Sequence, residues 1–202
     1  MDRFRWTKLK NPSLNTGSSC LFPEQVVVIT GASSGIGKAC AFEFASRGAR
    51  VVLAARRETV LNEIQQEIRR SGGEALTVVC DVSKINECER LIKTAAGWHG
   101  RIDMLINNAG ISMRARFDEL NLDVIRKLMD TNFYGAVYCT KFALPYLLEQ
   151  QGTVIGISSI TGLAPLPGRT GYVASKHAMD GFFNTLRLEN RDRGLNVLLV
   201  HP

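Results

Sequence analysis

The stretch VVVITGASSGIGKACA, residues 26–41, joins a strand pattern to a helix pattern through a glycine-rich turn. Val26–Thr30 is a run of β-branched residues, as in a strand buried on both faces, and helical spacing follows from Gly35. Gly31, Gly35 and Gly37 have the spacing G-x-x-x-G-x-G. Glycine permits a tight turn and lets backbone N–H groups approach an anion at the N-terminus of a helix. The stretch therefore predicts a site for the pyrophosphate of a dinucleotide, with a glycine-rich turn that binds no ligand as the alternative.

The same alternation of strand and helix patterns continues along the chain. Runs rich in apolar and β-branched residues occur at Val26–Thr30, Arg50–Ala55, Ala75–Cys80, Met104–Asn107, Thr153–Ser158 and Asn196–Val200. Helical spacing of apolar residues occurs at Gly35–Arg47, Glu58–Arg70, Lys84–Ala96, Leu122–Leu148 and Gly171–Arg193. Pro145 lies inside the fourth of these helices and is predicted to bend or end it. Alternating strands and helices with right-handed crossovers predict an α/β protein with a doubly wound parallel sheet in three layers, the Rossmann fold.

Length, composition and charge indicate one globular domain with a basic arm. The chain has 202 residues, of which 45% are hydrophobic and 22% are charged, and these values exclude a largely disordered, collagen-like or coiled-coil protein. Half of the net charge of +6 lies in the first ten residues, which carry four cations and one acid. We predict that residues 1–24 form a solvated basic arm and that residues 25–202 form the domain. Nucleic-acid or membrane binding by the arm is a distant alternative, and we expect no nucleic-acid partner.

Several classes of protein are excluded by what the sequence lacks. No apolar run reaches the ~18 residues of a transmembrane helix, and the N-terminus has charges and prolines in place of a signal peptide's apolar stretch. The five cysteines form neither a metal-binding pattern nor a disulfide framework. We therefore expect a cytoplasmic protein without a transmembrane segment or a metal site.

The end of the second strand bears on the choice of cofactor. An NAD site usually places an acid there, about 20 residues after the glycines, to bind the ribose 2′-hydroxyl. This chain reads Leu53-Ala54-Ala55-Arg56-Arg57, with no acid before Glu58. Guanidinium attracts a 2′-phosphate and can bind it through two hydrogen bonds. We predict NADP(H) over NAD(H), with Arg56 as the main phosphate ligand and Arg57 in support; a pair of solvated arginines is the alternative.

A tyrosine and a lysine four residues apart begin the last helix pattern. Tyr172 and Lys176 would share a face of that helix, and a neighbouring cation lowers a tyrosine pKa toward the range of a general acid/base. Such a pair alone is weak evidence for a catalytic site, because most such pairs lie on helix surfaces and have no catalytic role. The chain also has Asn107-Asn108-Ala109-Gly110 after the fourth strand and Ser158-Ser159 at the end of the fifth. With the glycine motif and in this order, over residues 25–202, these motifs resemble the short-chain dehydrogenase/reductase family.

The resemblance implies four catalytic residues. Tyr172 would be the acid/base, and Lys176 would lower its pKa and bind the nicotinamide ribose. Ser159, in preference to Ser158, would donate a hydrogen bond to the substrate oxygen. Asn132 would hold a water in a proton relay, although from the residues alone it reads as a buried helix asparagine bonded to backbone.

The resemblance also implies the residues that bind the cofactor. Without it, Asp81 reads as a turn or cap residue before the next helix. The expected positions are Gly31, Ser33, Gly35, Ile36 and Gly37 at the pyrophosphate, Asp81 and Val82 at the adenine, and Asn108 at the adenosine ribose, with Tyr172 and Lys176 at the nicotinamide ribose.

These expectations combine into a function. We expect an NADP(H)-dependent oxidoreductase that interconverts a secondary alcohol and a ketone or aldehyde, acting as a homodimer or homotetramer. The apolar loop at residues 161–170 hints at a lipophilic substrate. The chain stops at Leu198-Leu199-Val200-His201-Pro202, where the family continues into a further strand and substrate-covering helices. We therefore expect a C-terminally incomplete domain, and a catalytically impaired dinucleotide-binding or interaction protein is the alternative.

Overall fold

The computed structural model describes residues 20–202 and contains a six-stranded parallel sheet with helices on both faces. The strands are β1 (Val26–Thr30), β2 (Arg50–Ala55), β3 (Glu74–Val79), β4 (Met104–Asn107), β5 (Thr153–Ile157) and β6 (Asn196–Val200). The main helices are α1 (Gly35–Ser46), α2 (Glu58–Arg70), α3 (Ile85–His99), α4 (Leu122–Leu128), α5 (Gly135–Glu149) and α6 (Thr170–Glu189). The strand order is β3-β2-β1-β4-β5-β6, so the direction of winding reverses between β1 and β4. The predicted doubly wound fold is confirmed.

The first strand lies at the centre of the core, and all five of its residues are buried. Val26 and Val28 belong to the apolar cluster that includes residues of α3, α5 and α6. Val27 and Ile29 belong to the cluster that includes residues of α1 and α2. Because successive side chains of a strand point to opposite faces, a continuous apolar run is what a strand between two helix layers requires.

The long helix predicted over Leu122–Leu148 is interrupted. A π-helical turn at Met129–Tyr134 separates α4 from α5. Of the two outcomes predicted at Pro145, a bend or an end of the helix, the end is not observed, because α5 continues to Glu149. Pro145 is exposed, so water can solvate the carbonyl group that its missing N–H leaves unpaired.

The predicted basic arm falls largely outside the described part of the chain. Residues 1–19, which hold the basic cluster, lie outside it, whereas residues 20–24 contact the domain. The Phe22 ring lies 5.0 Å from that of Phe44, and the Phe22 N–H donates to the Arg47 carbonyl. Within residues 20–202, no helix has both the length and the hydropathy needed to cross a membrane.

Candidate active site

A cleft of about 490 Å³ opens at the carboxyl ends of the strands, where the winding reverses. Open α/β sheets bind ligands at this position. The turn Gly31–Gly37 with Arg56 and Arg57 forms one end of the cleft, here called the glycine end. Ser159, Tyr172 and Lys176 form the other, here called the tyrosine end.

At the glycine end, helix α1 begins with its backbone N–H groups uncapped. Ser34 makes no side-chain capping bond, and the first turn contains no acidic residue. Gly35 has φ +54° with open space beside it, and a Cβ at Gly37 would lie 2.5 Å from the Gly31 carbonyl oxygen. The first N–H groups of a helix lack partners within it and attract anions. The turn therefore has the conformation and the donors that a phosphate group requires.

Two arginines follow β2 at the same end. The Arg57 Nη2 donates to the Ser33 Oγ at 3.0 Å, which joins the end of β2 to the glycine turn. The Arg56 side chain is exposed and carries its charge near Asp81. Partial burial raises the pKa of Asp81, but hydrogen bonds from Ser83 and the charge of Arg56 lower it more, so the net shift is downward.

The side chain of Asn108, which directly follows β4, holds the glycine turn in place. Its Nδ2 donates to the carbonyl oxygens of Thr30 and Gly31 at 2.9 and 3.2 Å. The Thr30 Oγ1 in turn accepts from the backbone N–H groups of Asn108 and Ala109. These bonds fix the carboxyl ends of β1 and β4 to each other at the floor of the cleft.

The tyrosine end is formed by α6 packing against the end of β5. The Lys176 Nζ lies 5.8 Å from the centroid of the Tyr172 ring and donates to the Ile157 carbonyl oxygen at 2.7 Å. Burial lowers the pKa of Lys176 to about 8, against an upward contribution from the charge of Asp180. The Ser159 Oγ accepts from the Thr161 N–H at 3.3 Å, so its own proton is available to a substrate.

Asn132 lies in the π-helical turn and is fully buried. Its Oδ1 accepts from the Ile111 N–H at 2.8 Å, and its Nδ2 donates to the Ile111 carbonyl and the Ser175 Oγ, both at 2.9 Å. The side chain thus makes the backbone contacts that the residues alone suggest. It links the segment after β4 to α6, and π-helical turns often occur at functional sites.

The structure brings most of the predicted residues together. Those that border the cleft are Gly31, Ser33, Ile36, Arg56, Asp81, Val82, Asn108, Ser159, Tyr172 and Lys176. Gly35, Gly37 and Asn132 do not border it. The two glycines shape the turn at its glycine end, and Asn132 binds the backbone of Ile111, which does border the cleft.

Sequence reasoning missed other residues of the cleft. Cys80, Ile111 and Pro202 also border it, and each follows closely after a strand. Their position just past the carboxyl end of a strand is the signal that could have indicated them. Asp180 does not border the cleft, but it lies four residues after Lys176, hence on the same helix face, and was also missed.

The uncapped helix, the arginine pair and the Tyr172–Lys176 pair lie on one cleft of a doubly wound α/β sheet, an arrangement typical of dinucleotide-binding proteins. The family model for short chain dehydrogenases matches residues 25–202, and the chain belongs to this family.

Similar proteins of known name agree with this assignment. The chain is 46% identical over 180 residues to 11-beta-hydroxysteroid dehydrogenase A of Sesamum indicum, covering 88% of this chain and 51% of that protein. It is 41% identical over 180 residues to 11-beta-hydroxysteroid dehydrogenase-like 4A of Arabidopsis thaliana, covering 88% and 60%. The chain thus spans about half the length of the curated relatives it matches.

Two solved structures are similar to the whole fold. A short chain dehydrogenase/reductase from Burkholderia phymatum in complex with NAD has a TM-score of 0.87 and 30% identity, covering 90% of this chain and 66% of that one. An alcohol dehydrogenase from Thermococcus sibiricus complexed with 5-hydroxy-NADP has a TM-score of 0.86 and 29% identity, covering 89% and 76%.

Proposed function

We propose that this chain is the nucleotide-binding and catalytic part of an NADP(H)-dependent oxidoreductase that interconverts a secondary alcohol and a ketone or aldehyde. The observation that carries the proposal is the Tyr172–Lys176 pair on the same cleft as the uncapped N-terminus of α1. The Tyr172–Lys176 pair can exchange a proton with an alcohol oxygen, and the N-terminus of α1 can hold a pyrophosphate in the same cleft.

The residues present fit a nicotinamide dinucleotide. The N-terminus of α1 would hold the pyrophosphate, Asp81 and Val82 the adenine, and the segment at Asn108 the adenosine ribose. Arg56, supported by Arg57, would bind the 2′-phosphate, which is why we propose NADP(H); no acidic side chain precedes them in β2 to repel it. When bound, the cofactor would supply the hydride chemistry.

The protein's own contribution at the tyrosine end is proton transfer. Tyr172 would donate its phenolic proton to the substrate oxygen in reduction and accept it in oxidation. The Lys176 ammonium beside the ring would stabilise the negative charge that develops on the phenolic oxygen as the proton leaves. Ser159, with a free hydroxyl proton, would hold the same substrate oxygen.

The substrate that we propose is lipophilic. Ile160, Leu163 and Leu166, in and after the short turn that follows Ser159 in the chain, are exposed large apolar residues. The names of the relatives add support, since they are hydroxysteroid dehydrogenases.

We also propose a homodimer or homotetramer. A groove on α6 beside Phe133 of the π-helical turn is lined mainly by apolar residues, with Thr185 and Glu189 among them. In a two-fold symmetric oligomer the same surface patch of each subunit meets its copy, so the same two elements of a second copy could cover the groove.

Replacing Tyr172 by Phe tests the proposed function. The change removes only the hydroxyl group, so we expect NADPH affinity within about twofold of the parent and loss of turnover by at least about 10²-fold. Affinity is measured by NADPH fluorescence titration, and turnover by NADPH oxidation with a panel of lipophilic ketones. Tyr146→Phe, on α5, is the matched control and should change neither.

Two outcomes would contradict the proposal. Unchanged turnover in the Tyr172→Phe variant would exclude Tyr172 as the acid/base. NADPH binding by the parent chain with no turnover of any ketone would favour the alternative of a nucleotide-binding protein that does not catalyse.

A further inference from the structure

A second group of buried polar side chains lies next to the Tyr172–Lys176 pair. The Ser158 Oγ donates to the Asp180 Oδ1 at 2.5 Å, and the His201 Nε2 lies 2.7 Å from the Asp180 Oδ2. Ser158 is 4% exposed and Asp180 is 8% exposed. A carboxylate so deeply buried costs free energy unless both oxygens have partners, and here both do.

This group joins three elements at the tyrosine end. Ser158 directly follows β5, Asp180 lies on α6, and His201 directly follows β6. The backbone supports the same junction, since the Ser158 N–H donates to the Val200 carbonyl oxygen at 2.8 Å. A Cβ at Gly162 would lie 2.6 Å from the Ser158 Oγ and 3.0 Å from the Asp180 Oδ2. The turn that contains Gly162 therefore closes directly over the carboxylate.

The group reaches the catalytic pair by two routes. The first is mechanical, because Ile157, whose carbonyl accepts from the Lys176 Nζ, immediately precedes Ser158, and Ser159 immediately follows it. The second is electrostatic, because the charge of Asp180 raises the pKa of Lys176 against the effect of burial.

We propose that Asp180 is a positioning residue: its carboxylate fixes the end of β5 through Ser158, contacts His201, and places a negative charge one helical turn from Lys176. The effect of Asp180 on catalysis rests on the proposed function. The effect of Asp180 on Lys176 does not.

The expected direction follows from the charged groups around the carboxylate. His201 faces Asp180 from the end of β6, and Lys176 lies one turn away on α6 with Tyr172 on its other side. A neutral His201 leaves the full charge of Asp180 to attract the ammonium. A cation at position 201 cancels that charge and weakens the attraction. Loss of the Asp180 charge therefore lowers the Lys176 pKa below about 8.

The test is a pH titration of Lys176 in the 202-residue chain with ¹³C-labelled lysine, in which NMR measures the Lys176 signal. The Lys176→Arg variant identifies that signal. Asp180→Asn keeps the shape of the side chain but removes its charge and replaces one acceptor oxygen by an NH2 donor. We expect the Lys176 midpoint to fall by about one pH unit. Asp192→Asn, at an exposed position, is the matched control and should leave the midpoint unchanged.

A second pair of variants leaves Asp180 in place, so the test survives if Asp180→Asn does not fold. His201→Arg puts a permanent cation beside the carboxylate and should lower the Lys176 midpoint. His201→Gln keeps a hydrogen-bonding group without charge and should not lower it. Equal midpoints in these two variants, or an unchanged midpoint in folded Asp180→Asn, would overturn the inference.

Activity measurements separate this inference from the proposed function. If both are right, the alkaline limb of the pH profile of kcat moves to lower pH in Asp180→Asn by the same amount as the Lys176 midpoint. A shifted midpoint in a chain without turnover would remove the proposed function and leave the role of Asp180 toward Lys176 intact.

Discussion

At the glycine end of the cleft, the groups available to a ligand are backbone N–H groups and exposed arginines. At the tyrosine end they depend on buried side chains, of which Lys176 is 4% exposed. At the first end the conformation of the turn is encoded in a short stretch of sequence, because its glycines permit it, and Asn108 and Arg57 then hold the turn in place. The second is specified by tertiary packing, because α6 must lie against β5 before Lys176 meets the Ile157 carbonyl. Substitutions at the two ends should therefore fail in different measurements.

The largest effect is expected at the tyrosine end, from Lys176→Met. The variant loses the ammonium proposed to stabilise the charge that develops on the Tyr172 oxygen during proton transfer, so kcat should fall by about 10²-fold or more. NADPH affinity should also fall, though by much less, if Lys176 binds the nicotinamide ribose. Steady-state rates and fluorescence titration measure the two effects, with Lys141→Met on the exposed face of α5 as the control. A loss of NADPH affinity as large as the loss in kcat would contradict the expectation that the tyrosine end acts mainly on turnover.

An intermediate effect is expected at the glycine end, from Gly37→Ala. The added Cβ would lie 2.5 Å from the Gly31 carbonyl oxygen and 2.4 Å from the Asn108 Nδ2, so the turn must shift. We expect a loss of about 1–3 kcal/mol in unfolding free energy and weaker NADPH binding. Urea denaturation and fluorescence titration measure both quantities.

Gly97→Ala is the control for this change, because within residues 20–202 no atom outside the adjoining helix backbone lies within 4 Å of a Cβ at that position in α3. It should leave NADPH affinity unchanged and should not destabilise the helix. Equal effects of the two substitutions would show that the close approach at Gly37 is not what matters.

The smallest effect is expected from Arg56→Glu. The new carboxylate would repel a 2′-phosphate and could bind a 2′-hydroxyl, so the ratio of NADP to NAD rates should fall by about tenfold or more. The unfolding free energy should change little, since the side chain is exposed. An unchanged ratio would exclude Arg56 as the phosphate ligand, and the same substitution at Arg57, which contacts Ser33, would then be the next to test.

The same contrast explains what could be predicted from the sequence. Strand β1 and helix α2 have the predicted bounds, because a continuous apolar run and 3.6-residue periodicity are local signals. The π-helical turn was not predictable, since Asn132 is held by Ile111 and Ser175, which are 21 and 43 residues away.

Side-chain contacts at the tyrosine end escaped prediction for a similar reason. The Asp180–His201 contact joins residues 21 apart that belong to different elements, and it exists only once α6 packs beside β6. The pair Tyr172–Lys176 was predictable because four residues along one helix bring two side chains to the same face.

The strand order also constrains how the cleft can assemble during folding. Neighbours β1, β2 and β3 are consecutive in the chain, and Arg50 meets Glu74 only 24 residues further on. The other side of β1 pairs with β4, where the Val26 N–H meets Asp103 across 77 residues. Closing a longer loop costs more entropy and slows folding. The glycine turn and the two arginines that follow β2 can thus come together early, whereas the floor of the cleft forms only when the distant β4 docks.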